Sequence, residues 1–287
     1  MLTLTSTTSV GRLINLSVNA VTGSGNQLMT VGFVTGGGGT SGSQSLLIRA
    51  SGPALIPYGV TGTLPDPQLT VFNSADTSIA SNAGWGTPAS NVAPVEAAEA
   101  NTQAGLVYGS TSSLDSATVQ TLGSGAYTVQ VSGKSGDSGR TLAEVYDDTL
   151  AGTYALSTPR LINVSCRIQV SAGSSLTEGF IIGGSTSKTV LIRAIGPGLT
   201  QYGISAVMPD PQLTIYNNAG TAIASNVGWG GDPQLTTVMT AVGSQPNPPA
   251  SADSVALLTL APGSYTAVAQ SASGTAGDVL VDIYEVP

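Results

Sequence analysis

One stretch of this chain is written twice. PDPQLTVFNSADTSIASNAGWG at 65–86 returns as PDPQLTIYNNAGTAIASNVGWG at 209–230. The offset is 210 − 66 = 144 residues for Asp66 and Asp210, and 229 − 85 = 144 for Trp85 and Trp229. RLIN at 12–15 recurs at 160–163, LLIRASGP at 46–53 recurs as VLIRAIGP at 190–197, and LGSGAYTV at 122–129 recurs as LAPGSYTA at 260–267. Such self-similarity marks a duplicated structural module. The repeats span 12–148 and 160–287, with a linker at 149–159. Residues 1–11 align with that linker, so the chain opens on a linker-like segment.

Within each repeat the hydrophobic period is two. In RLINLSVNA (12–20), Ile14, Leu16, Val18 and Ala20 alternate with Asn15, Ser17 and Asn19. The second copy sets Ile162, Val164, Cys166 and Ile168 against Asn163, Ser165 and Arg167. Strict alternation predicts a half-buried strand. About eight such strands per repeat, separated by Gly-rich turns and Gly-Pro breakers, predict a sandwich. No strand–helix–strand alternation points to a parallel sheet. The copies diverge between the repeated blocks, where VEAAEANTQAG (95–105) and DPQLTTVMTAVG (232–243) each predict a short helix. Asp232 and Pro233 suit an N-cap followed by a first-turn proline. The predicted fold class is all-β: two tandem antiparallel β-sandwich (jelly-roll-like) domains, each with a short helical insertion. The pattern L-x-x-G-x-Y (Leu122, Gly125, Tyr127; Leu260, Gly263, Tyr265) reads as a tyrosine corner, its hydroxyl tied back to backbone.

The pattern D-P-x-L-x-[VI]-[FY]-N…IASN…L-x-x-G-x-Y-T runs from Asp66 to Tyr127 and from Asp210 to Tyr265. It resembles the bacterial pre-peptidase C-terminal domain, a small β-sandwich appended to secreted proteins. The full module, with RLIN, LIRA.GP and the closing EVYD or DIYE, resembles repeats of large secreted bacterial surface proteins. The resemblance implies a structural module in an extracellular setting; no protease accompanies the modules here.

Charge narrows the function classes. Only 8% of residues are charged, against about 25% in an ordinary domain. The net charge is −8 and the eight Lys and Arg form no cluster, so no nucleic-acid partner is expected. No apolar run approaches the roughly 20 residues of a membrane span. The first ten residues lack the basic and apolar regions of a signal peptide. Cys166 is the sole cysteine, and its counterpart is Val18 (166 − 148 = 18), which marks a core position.

Histidine is absent, which removes His-based triads and His-ligated zinc. Lys188 lies in GGSTSKT, but Ser187 stands where a phosphate loop needs Gly. Three acids and two arginines match between repeats: Asp66/Asp210, Asp115/Asp253, Glu144/Asp282, Arg12/Arg160 and Arg49/Arg193. Sparse charges at matched positions suggest ion pairs or bonds to loop backbone rather than a duplicated glycosidase site. No resident cofactor is expected. Calcium is the rival, through Asp66, Asn82 and Asp115 or Asp210, Asn226 and Asp253, although no contiguous D-x-D-x-D loop exists. Twelve of the 14 aromatics fall into matched pairs, leaving Tyr108 and Tyr154. Matched aromatics on strands read as core. Trp85 and Trp229, each between glycines, stay open as packing, interface or glycan contacts.

The expected function is a non-enzymatic structural subunit of an extracellular filament, sheath or matrix. Its partner would be itself, joined head to tail, with residues 1–11 adding a strand to a neighbour through Leu2 and Leu4. The alternative is a carbohydrate-binding or adhesion module with a glycan partner. Either places the chain outside the cell or at its surface.

Overall fold

The computed structural model describes residues 9–150 and 152–287. Leu2 and Leu4, the expected donor-strand residues, lie outside them. Repeat 1 forms β1 (Arg12–Thr22), β2 (Met29–Gly36), β3 (Ser43–Ser51), β4 (Pro67–Asn73), β5 (Ser78–Asn82), α1 (Val92–Thr102), β6 (Ser116–Gly123), β7 (Gly125–Gly133) and β8 (Gly139–Asp147). Repeat 2 forms β9 (Arg160–Val170), β10 (Ser175–Gly183), β11 (Lys188–Ile195), β12 (Pro211–Asn217), β13 (Ala222–Val227), α2 (Pro233–Ala241), β14 (Ser254–Leu260), β15 (Gly263–Ser271) and β16 (Gly277–Glu285).

The pairing within a repeat is nested and antiparallel. β1 pairs β8, β2 pairs β7, β3 pairs β6 and β4 pairs β5. β9 with β16, β10 with β15, β11 with β14 and β12 with β13 repeat the scheme. A long hairpin rolled up in this way is a jelly roll, with layers 1-8-3-6 and 2-7-4-5 closed by β3–β8 and β4–β7. The fold is all-β.

The two rolls are stitched together. β1 pairs β10 along its other edge, and β9 pairs β2. Each sheet therefore continues across the repeats: β5-β4-β7-β2-β9-β16-β11-β14, and β13-β12-β15-β10-β1-β8-β3-β6. The apolar core is likewise shared. Leu13, Leu16 and Phe33 belong to one cluster with Leu161, Cys166 and Phe180. The segments ahead of each RLIN cross over too. Ser185 N–H donates to the Ser9 carbonyl (2.7 Å), and Ser41 N–H donates to the Ser157 carbonyl (3.0 Å). Tyr154 of the linker lies under the Arg12 guanidinium, 3.7 Å from carbon to ring centroid.

One expectation fails at two adjacent residues in each copy. The alternation of 12–20 placed Ile14 with Leu16 and Val18, and Ile162 with Val164. The pairing skips Ile14 between Leu13 and Asn15, and skips Ile162 between Leu161 and Asn163. Each is a bulge, which reverses the phase of the strand. Leu13 and Leu161 take the core positions, and Ile14 and Ile162 remain partly exposed. Asn15 turns inward as a result, and its amide donates to the Val145 carbonyl (3.3 Å), as Asn163 donates to Ile283 (3.1 Å).

Both helical insertions are present, α1 beginning three residues earlier than the pattern suggested (95 − 92 = 3). Asp232 caps α2, accepting from Gln234 N–H at 2.7 Å. The Tyr127 hydroxyl donates to the Gly123 carbonyl (3.1 Å) and Tyr265 to Ala261 (2.9 Å). These corners also stack their rings on Phe33 and Phe180, at centroid separations of 5.4 and 5.6 Å.

Candidate functional site

The matched charges are structural. Asp115 accepts from Gly52 N–H (2.7 Å) and Ala54 N–H (3.1 Å); Asp253 accepts from Gly196 N–H (2.8 Å) and Gly198 N–H (3.2 Å). These carboxylates cap the turn after LIRA.GP, supplying acceptors for amides with no strand partner. Asn82 donates to the Gly84 and Thr87 carbonyls and accepts from Ala117 N–H, and Asn226 accepts from Val255 N–H. Asp66 accepts from Ser135, and Asp210 from Ser271 and Ser273. Apart from Asp66 Oδ1, which has no partner among the described residues, the side-chain oxygens of the calcium candidates thus face hydrogen-bond donors, where a cation would need free acceptors. Among the described residues, no three His, Cys, Asp or Glu side chains gather as a metal site.

The two tryptophans are interior. Trp85 is 1% exposed, donates its indole N–H to the Ser110 carbonyl (2.9 Å) and lies 5.6 Å from the Tyr108 ring. Trp229 is 4% exposed and donates to the Pro248 carbonyl (3.0 Å). The glycine-flanked loops had suggested access to a sugar. The insertions cover both rings instead, packing Val95 and Ala98 into one small core and Met239 into the other. Neither ring has a face free for glycan stacking.

Arg49 and Arg193 hold these insertions to the sheets. Arg49 is buried, bonded to Glu144 (2.5 Å), to Glu99 of α1 (2.8 Å) and to the Leu106 carbonyl. Arg193 grips Asp282 through a two-bond fork (2.9 and 2.5 Å) and donates to Asn247 Oδ1 (2.9 Å) and the Gln245 carbonyl (2.7 Å). Burial works against its charge, but Asp282 outweighs it and raises its pKa.

The repeats differ in what lies beyond the arginine. In repeat 1, Tyr108 fills the space, 5.2 Å from the guanidinium, its hydroxyl bonded to Ser51 and to the Ser116 carbonyl. The hollow beside it in repeat 1, lined by Leu55, Tyr58, Glu144 and Tyr146, is about 290 Å³; repeat 2 has no such tyrosine, and its matched hollow, at Leu199, Tyr202, Asp282 and Tyr284, is about 400 Å³. Thr30, Gly32 and Thr128 of repeat 1 line it with Tyr202, Asn247 and Tyr284 of repeat 2. Asn247 is 4% exposed, and its amide nitrogen has no hydrogen-bond partner among the described residues. A second hollow, about 370 Å³, adjoins that of repeat 2 at Gly243 and Tyr284 along the junction of the repeats. Gly37 and Gly38 of the first repeat line it opposite Arg160, Lys188 and Glu285. Glu285 receives Arg160 Nε (2.7 Å), Lys188 Nζ (3.4 Å) and the Leu13 N–H (2.8 Å).

Sequence reasoning passed over these hollows. Asn247 sits in an insertion with no matching residue in repeat 1, and Lys188 was weighed only as part of a phosphate loop. The available signal was asymmetry: Lys188 replaces Gln44 of the first repeat (188 − 144 = 44).

No family model matches the chain, so the resemblance to the pre-peptidase C-terminal domain has none behind it, and no curated protein matches either. Among solved structures, the tandem CBM51 modules of Sp3GH98, the family 98 glycoside hydrolase from Streptococcus pneumoniae SP3-BS71, align over 94% of this chain and 84% of theirs, at 7% identity and a TM-score of 0.26. An f-lectin (fucolectin) from Morone saxatilis (striped bass) serum aligns over 94% and 85%, at 7% identity and a TM-score of 0.19. Superpositions this loose carry no argument about a ligand. Among the described residues, no helix is long and apolar enough to cross a membrane.

Proposed function

We propose that this chain is a non-catalytic carbohydrate-binding or adhesion module of an extracellular protein, holding glycan in the groove between its repeats. The observation that carries this reading is the buried, unpartnered amide of Asn247 in a hollow lined by hydroxyls and two tyrosines. An unsatisfied buried donor is costly, and a sugar hydroxyl is an acceptor of suitable size. Tyr202 is exposed beside it and offers an aromatic face. Asn247→Ala and Tyr202→Ala are each expected to weaken glycan binding about tenfold, the loss of one good polar or stacking contact. Titration calorimetry against oligosaccharides found on a glycan array checks this. Unchanged affinity in both variants, with the fold intact by circular dichroism, would remove the groove from consideration.

The filament reading rests on a different feature. Among the described residues, β5, β6, β13 and β14 each pair with one neighbour, and the four strands contain no charged residue. Natural edge strands are commonly blunted by charge. Here Ile79, Ile223, Val227 and Leu257 stand exposed on them. If copies pair through these edges, Ile223→Lys with Val227→Lys should abolish fibres seen by electron microscopy. Deleting residues 1–11 separates donor-strand assembly from edge pairing. Monomers of the unaltered protein in both microscopy and size-exclusion chromatography would end this second reading.

A further inference from the structure

The groove is electrically uneven. Four of the eight basic residues, Arg160, Arg167, Lys188 and Arg193, line its two hollows. In the first hollow each cation has a carboxylate of its own: Arg167 pairs with Asp278 (3.3 Å) and Arg193 with Asp282. In the second, Arg160 and Lys188 share the single oxygen Oε2 of Glu285, whose Oε1 is committed to the Leu13 amide. Lys188 stands at 3.4 Å from that oxygen, beyond an ordinary charged hydrogen bond. The Arg160 fork lies against Gly37, where an added Cβ would come within 2.5 Å of Nη1; the glycine leaves room for it.

Repeat 1 lacks this surplus. Arg12 stands in the place of Arg160 and faces Asp147 at 3.6 Å, while neutral, buried Gln44 stands in the place of Lys188. The second cation at this position is confined to repeat 2. In a chain of net charge −8, an acidic ligand gains nothing from the overall field, so its recognition must be local.

We propose that the glycan is an acidic polysaccharide, with one anionic substituent seated at Lys188 and Arg160 and a neighbouring unit reaching Asn247. This rests on the glycan reading above. The anion completes the charge balance around Glu285 and gives Lys188 a full hydrogen-bond partner. A carboxylate of a uronic acid and a sulfate ester share this chemistry, so both belong in the test.

The experiment titrates the whole chain with a galacturonan oligosaccharide, a sulfated galactan oligosaccharide and a neutral galactan oligosaccharide of equal length. At least one acidic ligand is expected to bind about tenfold tighter than the neutral one, with the advantage shrinking as salt rises. Which acidic ligand wins identifies the substituent. Lys188→Gln, the residue of repeat 1, should abolish the advantage, and Lys188→Arg should restore it. Asn247-dependent binding with no acidic preference overturns this proposal and leaves the glycan groove standing. An acidic preference that survives Lys188→Gln overturns it as well. No binding to any of the three, nor to any glycan on an array, overturns the glycan reading itself.

Discussion

Replacing Arg49 with methionine is expected to destabilise the protein by about 3–5 kcal/mol, because it strands two buried carboxylates. Glu144 and Glu99 both lie in the interior and both bond to this one guanidinium. Glu144 would keep only the Tyr146 hydroxyl (2.5 Å) and Ser17 (3.3 Å), and the tie from β3 to α1 would be lost. Arg49→Lys should recover little, since one ammonium cannot span Glu144, Glu99 and the Leu106 carbonyl as a planar fork does. Denaturant titration gives the loss, and hydrogen exchange should show α1 opening first. A triple variant with Arg49, Glu99 and Glu144 all replaced by apolar residues of similar volume should regain most of the stability, because it removes the stranded charges. A loss below about 1 kcal/mol for Arg49→Met would mean that water reaches the network and that the insertion is held by Trp85 and its neighbours alone.

The contrast between Arg49 and Ile14 shows what the sequence could tell. Arg49 and Glu144 are legible because the chain has few charges and repeats these two, as Arg193 and Asp282. Two strand positions that both keep opposite charges are readily read as a pair. Ile14 is not legible, because a bulge changes which face a residue takes without changing its hydropathy, and RLIN fits either phase until its partners are known. The partners themselves were hidden by the duplication. β1 and β9 share RLIN and the same alternation, so nothing local distinguishes pairing within a repeat from pairing across it. The tryptophans stayed open between packing and contact for another reason. Gly-Trp-Gly resembles an exposed loop tip, and the segments that cover it differ between the copies, so comparison of the repeats discarded the cover. Asn247 was lost with that cover. Repetition exposes what the two modules share, which is the framework. Asn247 and Lys188, present in one module only, fall where they differ.

Replacing Glu178 with valine should strengthen the protein by about 1–3 kcal/mol where the carboxyl is protonated, the usual cost of an unsatisfied buried polar group, and by more at neutral pH. β10 points Leu176, Glu178, Phe180 and Ile182 inward, and Glu178 is 0% exposed. Neither carboxylate oxygen has a hydrogen-bond partner among the described residues. Repeat 1 places Val31 at the same position (178 − 147 = 31, as 180 − 147 = 33 for the paired phenylalanines). Its strand neighbours are Val18 and Ala267, so the surroundings already suit an apolar side chain. Burial pushes the Glu178 carboxyl well above the usual range, and Asp282 adds to the shift. A raised folded-state pKa fixes the sign. Below the unfolded value, about 4.3, both states hold the proton and this group is least harmful. Above it the unfolded chain releases the proton first, and stability falls by about 1.4 kcal/mol per pH unit until the folded pKa is reached. The difference in unfolding free energy between Glu178→Val and the unaltered chain should therefore grow from pH 5 to pH 8. Taking that difference cancels the other carboxylates, whose contributions the two proteins share. Glu178→Gln separates the two causes: it removes the pH dependence but keeps an unpartnered polar group in the core. A difference that stays flat across this range would show that Glu178 finds a partner or water in solution, and that the junction between the repeats is looser than its shared core implies.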